Sequence, residues 1–151
     1  MFDEIRDLYQ EVVFDHNRNP RNFRVMEDAT RKIDGYNPLC GDRITLYVKV
    51  EDGVIEDVSF QGSGCAISTA SASLMTEIVR GHTEEETHGL FELFHRIVTG
   101  EDQRTDFEEL GKLAVLAGVR AYPARVKCAT LAWHSLEAAL KEEAETVSTE
   151  D

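Results

Sequence analysis

The feature that most constrains this chain is a change in hydrophobic period part-way along it. From Arg43 to Val50 the apolar residues Ile44, Leu46, Val48 and Val50 alternate with Thr45, Tyr47 and Lys49. Glu51-Asp52-Gly53 then turns the chain into a second run, Val54 to Gln61. A period of two interrupted by Asp-Gly predicts a β-hairpin. After Cys65 the period becomes helical. Ile67, Ser71, Leu74, Met75 and Ile78 mark one face, with Gly81 as a stop. Thr83 and Glu86 form a capping box ahead of a stripe of Leu90, Phe91, Phe94, Ile97 and Val98, closed by Gly100. A short helix is expected around Phe107 to Leu116, and a last one after Pro123, with Val126, Thr130, Trp133, Leu136 and Leu140 on one side.

Ahead of the hairpin, Phe2, Ile5, Leu8, Tyr9, Val12 and Val13 recur at helical spacing until Asn17 to Asn22 break the pattern. Residues 23 to 35, with Val25, Ile33 and Tyr36 as apolar markers, are expected to add a third strand. Strands first and helices after make an α+β chain: an antiparallel sheet of about three strands, packed on one side by helices, with an N-terminal helix and a C-terminal helical layer. At 151 residues and 42% hydrophobic content the chain can bury one core, so residues 1–141 are expected to be a single domain. The acidic tail, residues 142–151, cannot pack and is expected to fray.

A formal charge of -13 argues against binding nucleic acid or an anionic membrane, because phosphate recognition draws on clustered Lys and Arg. The N-terminus has no basic leader, and no apolar run approaches the roughly 20 residues of a membrane span. A cytoplasmic protein is expected, and its three cysteines would remain thiols.

Each cysteine sits where a thiolate is favoured. Cys40 lies in Asn37-Pro-Leu-Cys-Gly-Asp42, where Gly41 lets a thiolate and a carboxylate turn towards one cation. Cys65 follows Gly62-Ser-Gly64 at a helix N-terminus, where free amides and the helix dipole stabilise an anion. Cys128 lies in the first turns of the last helix, near Arg125 and Lys127. The spacing is not that of a zinc finger, and each cysteine taken alone reads as readily as a small buried apolar residue.

The words around the three cysteines resemble the U-type family of iron-sulfur cluster assembly proteins, which includes IscU, SufU and the N-terminal part of NifU. Asn37 to Asp42, Gly62-Ser-Gly-Cys65-Ala-Ile-Ser and Lys127-Cys128-Ala-Thr-Leu carry the likeness. Tyr9 to Asn22, with His16 and Asn19-Pro-Arg-Asn22, looks like the family's first helix and its exit. In IscU-like members a His precedes the third cysteine, and a Leu-Pro-Pro-Val-Lys-like stretch is read by a dedicated Hsp70-type chaperone. Here Tyr122-Pro-Ala-Arg-Val-Lys-Cys128 stands instead, which counts against that partnership. An extra stretch, roughly Gly100 to Arg120, resembles SufU.

That resemblance implies a Zn²⁺ held by Cys40, Asp42, Cys65 and Cys128, a mixed thiolate and carboxylate set suited to tetrahedral zinc, with Arg125 as a nearby charge-offsetting donor. Cys40 would accept sulfur from the persulfide of a pyridoxal-phosphate cysteine desulfurase of SufS or IscS type. The product would serve downstream apo iron-sulfur proteins or assembly factors, and the chain would be at most a sulfurtransferase-type relay. The alternative is a scaffold on which Cys40, Cys65 and Cys128 hold a labile [2Fe-2S] cluster or iron. A purely structural zinc site is a third reading.

The histidines are left out of the site. His82, His88 and His95 are expected to be solvated, and His16 and His134 to pack or cap. Ser68, Thr69, Ser71 and Ser73 read as a close-packing face, because no His/Asp pair is placed to activate them.

Overall fold

The computed structural model describes residues 2–38, 41–102, 108–121, 123–141 and 146–148. Helix α1 (Phe2–Arg18) leads into strands β1 (Arg31–Asn37), β2 (Asp42–Glu51) and β3 (Val54–Ser63). Helices α2 (Ala66–Val79) and α3 (Glu84–Val98), a 3₁₀ segment (Glu108–Ala121), helix α4 (Pro123–Lys141) and a short strand β4 (Thr146–Ser148) follow. The sheet order is β3-β2-β1-β4. The first three strands are antiparallel, as the α+β reading requires, with Asp52-Gly53 as the two-residue hairpin loop.

Three expectations need correction. The third strand is Arg31–Asn37, not a segment from residue 23; Val25 is 51% exposed, and the one β-bridge to the sheet from the described residues 23–30 is that of Phe23 to Phe60. The tail is not wholly unpaired, since β4 runs parallel to Asp34–Tyr36 of β1; a sheet edge offers open amides and carbonyls to any nearby chain. The helix expected near Phe107–Leu116 is a 3₁₀ segment with a break at Gly111 (φ 57°). The reason is spacing. Leu110, Leu113, Leu116 and Val119 recur every third residue and all are buried, which suits three residues per turn.

The strands turn one face to the helices. Ile33, Gly35 and Asn37 of β1 and Asp42, Ile44, Leu46 and Val48 of β2 point inward, where α4 covers β1 and β2 and α2 covers β3. Their outward neighbours interact in cross-strand pairs: Lys32 over Tyr47, the Thr45 hydroxyl donating to Asp34, and Arg43 over Tyr36. The serine face of α2 is packing, as expected. Ser71 donates to the Ala129 carbonyl of α4, and the Ser73 hydroxyl accepts from the Arg21 amide while lying 2.7 Å from His16 Nδ1. Buried His16 thereby fixes the end of α1 against α2.

Thr83 and Glu86 form the capping box that their spacing predicted. His88, expected to be simply solvated, instead links α3 to α4. Its Nδ1 lies 2.7 Å from Glu137 Oε2 and its Nε2 3.1 Å from Glu92 Oε1. The Glu137 hydrogen bond and charge, with help from Glu92, raise its pKa against burial and Lys141. A raised pKa stabilises the fold fully below the ordinary value near 6.5, and the effect is lost as pH rises through the folded value. His88→Gln should therefore lower the urea midpoint at pH 6 by an amount worth at most about 1 kcal/mol and have little effect at pH 9. An equal loss at both pH values would show that the ion pair is not the cause.

Candidate metal centre

Asp42, Cys65 and Cys128 reach one point from three elements. Asp42 opens β2 and, being in phase with Ile44 and Leu46, points into the core face with no exposure. Cys65 is the N-cap of α2, its sulfur accepting from the Ser68 amide at 3.4 Å. Cys128, also fully buried, lies in the second turn of α4. One ligand atom from each residue lies within 4.8 Å of the others, the only such group of three or more among the described residues. No histidine joins it. Cys40 lies outside the described residues; it belongs to the connection between Asn37 and Asp42, which face each other across the sheet.

The carboxylate is held at both oxygens. Asp42 Oδ1 accepts from the Cys65 amide at 2.8 Å, and Oδ2 accepts from Asn37 Nδ2 at 3.0 Å. The same amide nitrogen lies 3.5 Å from Cys128 Sγ. Cys65 is pulled down to about 6, first by its hydrogen bond with Cys128 and then by the amides of Ser68 and Ile67, against burial and the Asp42 charge. The shift favours the thiolate at this position. Arg125, three residues before Cys128, is exposed, and Lys127 is half-buried.

Two residues of this centre carry no warning by residue type. Asn37 is fully buried, in phase with Ile33 and Gly35; strand alternation reaches it once β1 is known to end there. Gly64 lies so close to the carboxylate that a Cβ placed on it would be 2.6 Å from Asp42 Oδ1 and 3.1 Å from its Cβ and Cγ.

The donor set fits zinc. Bonds of about 2.3 Å in a tetrahedron place sulfurs about 3.8 Å apart, and the ligand atoms here lie within 4.8 Å of one another.

Residues 8–129 match the family described as the NifU-like N terminal domain. The chain belongs to this NifU-like family. The zinc-dependent sulfurtransferase SufU of Bacillus subtilis is 42% identical to it over 136 residues, 90% of this chain and 91% of that protein. The iron-sulfur cluster assembly scaffold protein IscU of Thermotoga maritima is 45% identical over 135 residues, 89% and 93% of the two chains. The crystal structure of FiSufU from Fervidobacterium islandicum has the same fold, with a TM-score of 0.82 at 35% identity, covering 88% of this chain and 96% of the other. None of the described helices of this NifU-like chain is long and apolar enough to cross a membrane.

Proposed function

We propose that this NifU-like protein serves iron-sulfur cluster assembly in the cytoplasm as a zinc-bound sulfur acceptor. It would take sulfur from a cysteine desulfurase of SufS or IscS type and supply downstream apo iron-sulfur proteins or assembly factors. The observation that carries the reading is the convergence of Asp42, Cys65 and Cys128. Near-full-length similarity to a protein named a zinc-dependent sulfurtransferase supports it. Cys40, Asp42, Cys65 and Cys128 are the proposed ligands. Zinc bound there supplies Lewis acidity that keeps thiols ionised at neutral pH and adds no redox chemistry.

The chain's own part is the attack. The Cys40 thiolate attacks the outer sulfur of the desulfurase persulfide, the S–S bond of that persulfide breaks, and the desulfurase cysteine departs as a thiolate. The new S–S bond leaves the sulfur on Cys40, with no net oxidation or reduction. Asp42, Cys65 and Cys128 are the groups that remain to hold the site, and their hydrogen bonds to the Cys65 amide, the Ser68 amide and Asn37 keep them in place. Arg125, three residues before Cys128, would offset the negative charge of the ligands.

A second reading, a scaffold for a labile [2Fe-2S] cluster, is favoured by the name of the IscU relative; thiolates suit both uses. Metal and sulfide analysis of protein purified with and without air, together with desulfurase turnover, separates the two. About one zinc per chain, lost in Asp42→Ala, with turnover stimulated by the wild type but not by Cys40→Ser, supports sulfur transfer. Iron and acid-labile sulfide with a visible chromophore, and turnover unaffected, would replace it with the scaffold.

A further inference from the structure

We propose that Asn37 is the positioning residue of the metal centre: its side-chain amide, donating to Asp42 and Cys128 together, sets the ligands for the metal without binding it. This rests on the reading of the cluster as a metal site. Asn37 is fully buried at the end of β1, directly opposite Asp42 in the sheet register. Its nitrogen is 3.0 Å from Asp42 Oδ2 and 3.5 Å from Cys128 Sγ. The neighbours settle which way the amide faces, since a carboxylate oxygen and a sulfur both accept, and turning the Asn37 oxygen towards them would set acceptor against acceptor. The two hydrogens of one NH₂ diverge, so a single group can serve both.

The consequence is geometric and electrostatic. Asp42 Oδ1 is already held by the Cys65 amide, so the bond from Asn37 to Oδ2 stops the carboxylate from rotating about its last free torsion. The bond to Cys128 ties a ligand of α4 to a ligand of the sheet. Donors on ionised oxygen and sulfur are roughly twice as strong as neutral ones, and they spread the excess negative charge of a thiolate-rich ligand set. An amide nitrogen has no lone pair to offer a metal, so Asn37 does this without entering the coordination sphere.

The test uses Co²⁺ as a spectroscopic stand-in for Zn²⁺, with affinities measured by chelator competition. Asn37→Leu keeps the volume and removes both donors. Asn37→Asp keeps the outline and replaces donors with an acceptor, so a folding failure in the first does not end the test. Both should weaken zinc about 10- to 100-fold and shift the cobalt charge-transfer and ligand-field bands. Ser71→Ala, which removes a buried bond to Ala129 without touching a ligand, should keep the wild-type spectrum and an affinity within threefold. Wild-type spectra and affinities in both Asn37 variants would overturn the inference while leaving the metal site standing. A wild type that binds neither metal would remove the site itself, and this inference with it.

Discussion

Alanine at Gly64 is expected to abolish tight metal binding and to destabilise the metal-free protein, while alanine at Gly89 should do the reverse of the latter. The Cβ at position 64 would sit 2.6 Å from Asp42 Oδ1 and 3.1 Å from Asp42 Cβ and Cγ, closer than packed atoms tolerate. Fully buried Asp42 cannot swing aside, because Oδ1 is held by the Cys65 amide and Oδ2 by Asn37. Overpacking of this kind costs about 1–3 kcal/mol, and breaking a hydrogen bond to a buried charge adds roughly 1.5–3 kcal/mol. The displaced carboxylate is itself a proposed ligand, so zinc affinity should fall by more than about 100-fold, beyond the range seen when only a ligand's supporting contact is removed. Gly89 is exposed, inside α3, and a Cβ there meets nothing within 4 Å; alanine should stabilise that helix by about 0.5–1 kcal/mol. Chelator competition and urea unfolding on both variants decide the matter. Zinc binding by Gly64→Ala within threefold of wild type would mean that the carboxylate is free to move, contrary to the hydrogen bonds described.

The same residues show how much of this molecule is legible in its sequence. The hairpin, the stop at Gly81 and the Thr83–Glu86 capping box depend on local chemistry, and each appears where the spacing puts it. Asp42 and Cys65 were also reachable, because one extends the inward phase of Ile44 and Leu46 and the other occupies a helix N-cap. What escaped needed knowledge of the third dimension. Asn37 becomes an inward residue only when β1 is seen to pair with β2 so that Asn37 faces Asp42. Gly64 has no turn to make; its lack of a side chain matters because a carboxylate more than twenty residues earlier comes to rest against it. The triplet spacing of Leu110, Leu113, Leu116 and Val119 was present but reads as α-helix unless a period of three is separated from one of 3.6. Strand β4 depends on an open edge of β1, which no property of residues 146–148 announces. His88 reads as solvated from its own polar stretch, whereas its partner Glu137 comes from α4.

Trp133→Ala is expected to be the most destabilising substitution outside the metal centre, and bound zinc should offset most of the loss. Trp133 is fully buried on α4, five residues beyond Cys128, stacked on Phe91 at 6.5 Å and tilted against Phe94 at 5.6 Å between ring centroids. Truncating such a side chain costs about 3–5 kcal/mol, a large part of the roughly 5–15 kcal/mol that holds a domain together. The metal-free variant should therefore unfold at a much lower urea concentration, as followed by circular dichroism, since the substitution removes the chain's one tryptophan. Zinc that binds only the folded state adds about 4 kcal/mol at a thousandfold excess over its dissociation constant, enough to offset most of the loss. Saturating zinc should then bring the midpoint of Trp133→Ala back towards that of metal-free wild type. Trp133→Phe supplies the comparison. The indole Nε1 has no hydrogen-bond partner among the described residues, so phenylalanine forfeits packing alone and should lose less than half as much as alanine. A loss in Trp133→Ala below about 1 kcal/mol would mean that the α3–α4 core collapses around the vacancy. A full loss that zinc fails to offset would separate the metal centre from the stability of α4, although Cys128 and Trp133 share that helix.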